Sequence, residues 1–160
     1  MKPLDHLKAL KLAVLKSEYP NVPDYAIPQP KYSDKSANGL TRCVVDWLQL
    51  NGWQAERINT MGRPIDNRKQ VTDVVGRKKT IGSMTWGKST ATRGSADISA
   101  TIMGRSVKIE IKYGKDRQSA DQKKYQNMIE RSGGVYIIVK TFDQFYQWYN
   151  DYLNGIKSNL

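Results

Sequence analysis

Residues 97–113 alternate between apolar and polar side chains with the two-residue period of half-buried strands. This run constrains the chain more than any other, because it dictates a β-hairpin and fixes which side chains share a face. Strands are expected from Asp97 to Met103 and from Val107 to Tyr113, with Gly104-Arg105 as a two-residue turn that has its glycine first. Pairing outward from that turn sets Met103 opposite Ser106, Ile102 opposite Val107, Thr101 opposite Lys108 and Ala100 opposite Ile109. Ser99 then faces Glu110, Ile98 faces Ile111 and Asp97 faces Lys112. One face is wholly apolar and the other wholly polar, and a slip by one residue would mix them. In this register Asp97 and Glu110 are diagonal neighbours with Cβ atoms roughly 7–8 Å apart, and Lys112 shares their face.

Two carboxylates at that spacing can grip one hard cation, and an amine beside them can hold a water or an anion. A phosphodiester needs such a set. It is an anion attacked by an anion, so a divalent cation must neutralise the developing charge and activate water. Mg²⁺ suits oxygen ligands, keeps several waters and asks only one or two carboxylates of the protein, and Mn²⁺ can replace it. The bland alternative is a solvated hairpin face with Asp97 and Lys112 as a cross-strand ion pair.

Ser95-Ala96-Asp97, twelve residues, then Glu110-Ile111-Lys112 resembles the PD-(D/E)XK nuclease signature, with Ala96 at the position of its loosely kept proline. The following stretch, from Asp116-Arg117-Gln118-Ser119-Ala120-Asp121-Gln122 through Lys123-Lys124-Tyr125 to the strand Val135-Tyr136-Ile137-Ile138-Val139, is similar to the virus-type replication-repair (VRR-NUC) branch. The resemblance covers about residues 38–153. It implies a restriction-endonuclease-like α/β core, a mixed central sheet flanked by helices in the order α-β-β-β-α-β, with a basic insertion after the first strand. It implies Asp97, Glu110, Lys112 and Gln122 as catalytic residues, with the cation on Asp97, Glu110 and the Ile111 backbone carbonyl. It further suggests branched or flapped DNA as substrate, a phage or mobile-element setting and a homodimer. Many members carry a glutamate near the start of the first core helix. Here Ser36-Ala37-Asn38-Gly39-Leu40-Thr41 has none, so Asn38 is an accessory candidate and one-metal chemistry is favoured over two-metal. The rival class is a non-catalytic DNA-binding protein that retains the fold.

Composition is compatible with this. The 160 residues are 39% hydrophobic and 26% charged, ordinary globular usage. Twenty-six basic against fifteen acidic residues give +11, the electrostatic footprint of a phosphate-backbone binder. No apolar run approaches a membrane span and no signal peptide is apparent, so an intracellular protein without membrane contact is expected, in the cytoplasm of a bacterial host if phage-encoded. Cys43 and His6 are the only residues of their types, which excludes an intrachain disulfide, zinc clusters and histidine triads. Cys43 lies in an apolar helical stretch and reads as a small buried hydrophobe.

Along the chain, residues 1–36 read as a short amphipathic helix ending by Pro20 and a Pro-rich peripheral arm, and residues 37–160 as the nuclease domain. Helices are expected over 38–50, 119–131 and 142–153, and strands over 53–59 and 135–140. The insertion 60–94 carries Arg63, Arg68, Lys69, Arg77, Lys78, Lys79, Lys88 and Arg93 against Asp66 and Asp73, over half the net charge. It is short of large apolar residues and reads as a DNA grip that orders on binding, or alternatively as a dimer arm. Its DNA-binding candidates are Arg77, Lys78, Lys79, Lys88 and Arg93, joined by Arg57, Asn59, Lys115 and Arg117 from outside or at its edge. Tyr125, three residues after Gln122 on its helix, is a second accessory candidate that either contacts DNA or packs on the sheet. Gly82 to Ser89 matches the P-loop pattern G-x-x-x-x-G-K-[ST], but Thr90 to Arg93 leaves no room for the helix a P-loop needs, so no nucleotide cofactor is expected.

Overall fold

A computed structural model describes residues 1–59, 62–87 and 91–158. The apolar stripe Leu40, Val44, Trp47 and Leu48 organises the larger part of it. It lies on α2 (Ala37–Leu50), which begins where Ser36 Oγ accepts the Gly39 N–H at 3.1 Å, an N-cap that satisfies one orphan donor. Before it, α1 (Pro3–Glu18) starts with proline at its first turn, where no N–H is required, and buries Leu7. Residues 1–36, expected at the periphery, thus join the core. Leu4 and Leu10 pack against it, Ile27 and Tyr32 are buried, and the Tyr32 hydroxyl donates to Asp46 Oδ2 at 2.7 Å. An apolar helix face has to be covered by something, and here α2 and the last helix cover it.

The remaining elements are β1 (Gln54–Arg57), β6 (Ile98–Ile102), β7 (Arg105–Ile111), α3 (Ala120–Arg131), β8 (Val135–Val139) and α4 (Phe142–Lys157), with β2 to β5 in the insertion. Four strands form a mixed sheet in the order β1-β6-β7-β8, in which β7 and β8 are parallel and the other pairs antiparallel. Among the described residues there are four α-helices, so the architecture is mixed α/β. The apolar sheet face, Ile98, Ala100, Ile102, Val107, Ile109 and Ile111, shares one core with α1, α2 and α4. Phe142, Phe145 and Tyr149 fall at helical spacing on α4 and are core. Burying each such side chain contributes about 1.5–3 kcal/mol. The α3 crossover packs on the polar face, where Tyr125 meets Tyr136 edge-on with ring centroids 6.4 Å apart.

The hairpin register differs from the sequence-based one. The chain reverses at Met103-Gly104, with φ of 49° and 75°, the doubly left-handed geometry whose twist matches that of the flanking strands. Ile98 therefore faces Ile109, Ser99 faces Lys108, Ala100 faces Val107, Thr101 faces Ser106 and Ile102 faces Arg105. Every pairing moves by two residues. Such a shift leaves each side chain on its own face, so the alternation that rules out a one-residue slip is blind to it. Continued one step, the observed register sets Asp97 opposite Glu110 rather than opposite Lys112.

The chain divides into two compact units, Met1–Ile58 with Gly94–Leu160, and Asn59–Arg93. In the second, β2 (Arg63–Asp66) pairs with β5 (Met84–Gly87) and β3 (Lys69–Thr72) with β4 (Lys78–Ile81). Both pairs fall on one continuous register, bridged by the Asn67 N–H on Ser83 O at 3.3 Å. Residues 63–87 are thus a single long antiparallel ribbon, in a segment expected to order on binding. Ile65, Val71, Thr72, Thr80, Ile81 and Thr85 favour extended backbone although almost nothing is buried. Met84–Gly87 of the P-loop-like run is a strand of this ribbon, not the loop of a strand-loop-helix.

Candidate active site

Glu110 is the centre of the polar face. It lies near the end of β7, only 2% exposed, where alternation along the strand turns it away from Ile109 and Ile111. The Lys112 ammonium, 5% exposed, stands 3.0 Å from Glu110 Oε1, and the Gln122 side-chain amide donates to the same oxygen. The Tyr136 hydroxyl approaches Oε2 at 3.4 Å. Lys112 also donates to Gln122 Oε1 at 3.1 Å and pairs with Asp116 Oδ2 at 3.2 Å. Gln122 is held by its own helix end, because Oε1 accepts the Ser119 N–H at 2.9 Å while Ser119 Oγ accepts the Gln122 N–H. The capping box that starts α3 therefore also aims Gln122 at the site.

Asp97 is fixed differently. Its Oδ2 accepts the Ile111 N–H at 2.9 Å, and its carbonyl accepts the Ile58 N–H at 2.7 Å, so side chain and main chain are tied to the strands on either side. Gly94, three residues earlier, has φ of 77° and lies so close to α3 that a Cβ there would meet the Asp121 carbonyl carbon at 2.4 Å. Only glycine allows both that backbone conformation and that approach.

The electrostatics follow from burial. Desolvation pushes the Glu110 carboxyl above the usual range, the charge of Asp97 pushes it further, and the hydrogen bond and charge of Lys112 pull it back. For Lys112, desolvation acts to lower the pKa, but Glu110 and Asp116 outweigh it and hold the ammonium above the ordinary lysine value. Burial and then the Glu110 charge raise Tyr136, which stays a neutral donor. Cys43, buried in α2, has its thiol pushed up to about 11 by desolvation and next by the Asp34 charge, so it is not a reactive group.

The structure thus brings Asp97, Glu110, Lys112 and Gln122 together, with the Ile111 main chain between them. Tyr125 packs on the sheet through Tyr136. Asn38 is engaged by Arg57. Its Oδ1 accepts from Arg57 at 2.9 Å on the α2 side of the sheet, where both line a cavity of about 190 Å³ with Thr41, Arg42, Val45 and Asp46. Arg57 falls there because Ala55 and Arg57 alternate toward the core face. Lys115 and Arg117 are exposed on the turn that carries Asp116. Asn59, Arg77, Lys78, Lys79 and Arg93 belong to the second unit, and Lys88 lies outside the described residues. Asp116 and Tyr136 were not foreseen as partners of the site. The even spacing from Tyr136 to Ile138, the residue paired with Glu110, was the available signal for the tyrosine.

The donor set fits a hard cation in kind. Two carboxylates, one buried and raised by its neighbour's charge, form a locus that a divalent ion would relieve. Among the described residues no group of three or more His, Cys, Asp or Glu side chains is placed to hold a metal, so waters would complete the coordination. Among the described residues no helix is long and apolar enough to cross a membrane. No family model and no curated protein matches the chain.

Proposed function

We propose that this chain is a Mg²⁺- or Mn²⁺-dependent endonuclease acting on DNA, with a restriction-endonuclease-like core. The observation that carries the reading is a buried glutamate gripped by lysine and glutamine, with a second carboxylate at the next cross-strand position. The order α2-β1-β6-β7-α3-β8 supports the same reading. When bound, the cation supplies Lewis acidity toward the phosphodiester. The residues do the rest. Asp97 and Glu110 would hold it, and the Ile111 N–H fixes the Asp97 carboxylate. Lys112, charged across the neutral range, donates from Nζ to the attacking water or to a phosphate oxygen. Gln122 bonds both Lys112 and Glu110 and so holds them at their mutual distance.

The second reading, a DNA-binding protein without catalysis, is favoured by one observation. Lys112 already neutralises Glu110, and such a closed pair needs no cation. Cleavage of a labelled panel of linear, nicked, flapped and branched DNAs, with and without Mg²⁺ or Mn²⁺, decides between them. Cation-dependent cutting supports the nuclease. Tight binding of the panel with no cutting under either cation supports the binding protein.

A further inference from the structure

The ribbon ends in two valines that its turn does not require. The Asp73 N–H donates to Arg77 O at 2.9 Å, the Gly76 N–H to Asp73 O at 3.0 Å, and Asp73 Oδ1 accepts from the N–H groups of Val75 and Arg77 at 2.9 and 2.8 Å. With Gly76 at φ 83°, this is a three-residue loop in which a type I turn is followed by a left-handed residue. Asp73 and Gly76 set its shape. The two corner positions accept most residues and are commonly polar, yet here they carry Val74, fully exposed, and Val75, 74% exposed. Nothing in the fold accounts for apolar surface at the tip of an exposed arm.

Its surroundings are cationic. Arg77, Lys78 and Lys79 follow the turn, and all three are exposed. Lys79 stands opposite Val71 and Lys69 opposite Ile81, so one face interleaves lysines with apolar side chains, while Lys78, opposite Thr72, belongs to the other face. The nearby acids are engaged locally, Asp66 by Arg68 at 2.8 Å and Asp73 in the turn. Residues 63–73 at about 3.3 Å each give roughly 35 Å of ribbon, about the length of one helical turn of duplex DNA. A partner that is anionic outside and apolar within matches such an arm, and duplex DNA has that construction. A second copy would bring another six net positive charges, eight basic minus two acidic over residues 60–94, against these.

We infer that the arm probes duplex DNA and that its Val74-Val75 tip wedges between adjacent base pairs while the flanking cations hold phosphates. The inference rests on the reading of the chain as a DNA-acting protein. Unstacking costs least where stacking is already weak, so the wedge favours pyrimidine–purine steps, nicks and branch points.

The test uses the full chain in EDTA with a duplex carrying 2-aminopurine at a TA step, read by fluorescence for unstacking and by anisotropy for binding. Val74→Ser with Val75→Ser keeps a good turn former at both corners, and circular dichroism checks the fold. The wild type should raise 2-aminopurine fluorescence on binding. The double variant should lose that rise, keep its salt dependence, and weaken by less than roughly tenfold, because apolar burial and lost stacking largely offset. Wild-type binding without a rise, or an undiminished rise in the variant, overturns the wedge. So does conversion of a wild-type dimer to a monomer in the variant, which would place the tip on a second copy of the chain. Mg²⁺-dependent cutting of the same duplex with no tip effect removes the wedge and leaves the nuclease. Neither binding nor cutting removes both.

Discussion

Lys112→Ala removes the buried ammonium that stands 3.0 Å from Glu110 and 3.2 Å from Asp116, and leaves Glu110 charged at 2% exposure. Breaking one side of a buried pair typically costs about 3–5 kcal/mol, far more than the intact pair contributes over an apolar replacement. For a chain of this size that corresponds to a fall in Tm of roughly 6–20 °C. The loss depends on pH with a definite sign. Glu110 is already above the usual carboxylate range through burial and the Asp97 charge, and without Lys112 it rises further. Between the unfolded and native values the native state binds more protons, so stability falls as pH rises through that window. The variant should therefore be penalised more at pH 8 than at pH 5 in urea denaturation followed by circular dichroism. Lys112→Met with Glu110→Leu should recover much of the loss, since no buried charge remains. A loss below about 1 kcal/mol, or one equal at both pH values, would refute the reasoning. In the wild type, the raised Lys112 pKa means that the pair stabilises below the ordinary lysine value and is lost as pH climbs past it.

Met103→Asn should stabilise by about 0.5–1 kcal/mol, because asparagine tolerates the φ of 49° that methionine is forced into; a loss of stability in urea would speak against the Met103-Gly104 turn. Gly94→Ala should cost about 1–3 kcal/mol through backbone strain and the collision with Asp121, and should slow cleavage by displacing Gln122; an unchanged rate and Tm would show that the approach of this segment to α3 does not matter. Replacing Arg77, Lys78 and Lys79 together should flatten the slope of log K against log salt by up to about 2–3, and an unchanged slope would take phosphate contacts away from the ribbon.

The pattern in the sequence reached the site further than it reached the turn. Alternation over 97–113 placed Asp97, Glu110 and Lys112 on one face, because face membership depends only on parity. Register depends on turn geometry, and Met103 in a left-handed conformation is what no propensity would select. Helix starts near 38, 119 and 142 were legible from apolar periodicity, and the observed N-caps Ser36, Ser119 and Thr141 lie within two residues of them. The position of Asn38 was not, since it depends on which side of the sheet α2 covers and on its contact with Arg57, nineteen residues away. The insertion was legible as a cationic segment, but its strands were masked by polar composition. A ribbon exposed on both faces lacks the apolar-in, polar-out alternation by which strands are recognised.

The central claim is that Asp97 and Glu110 hold the cation for DNA cleavage. It is tested most directly by measuring cutting of one end-labelled DNA substrate in Mg²⁺ by the wild type, Asp97→Ala and Glu110→Ala, alongside binding of the same DNA in EDTA. The account predicts that the wild type cuts, that each variant loses cleavage, and that both bind at least as tightly as the wild type because a carboxylate that repels phosphate is gone. Undiminished cutting by either variant would contradict it.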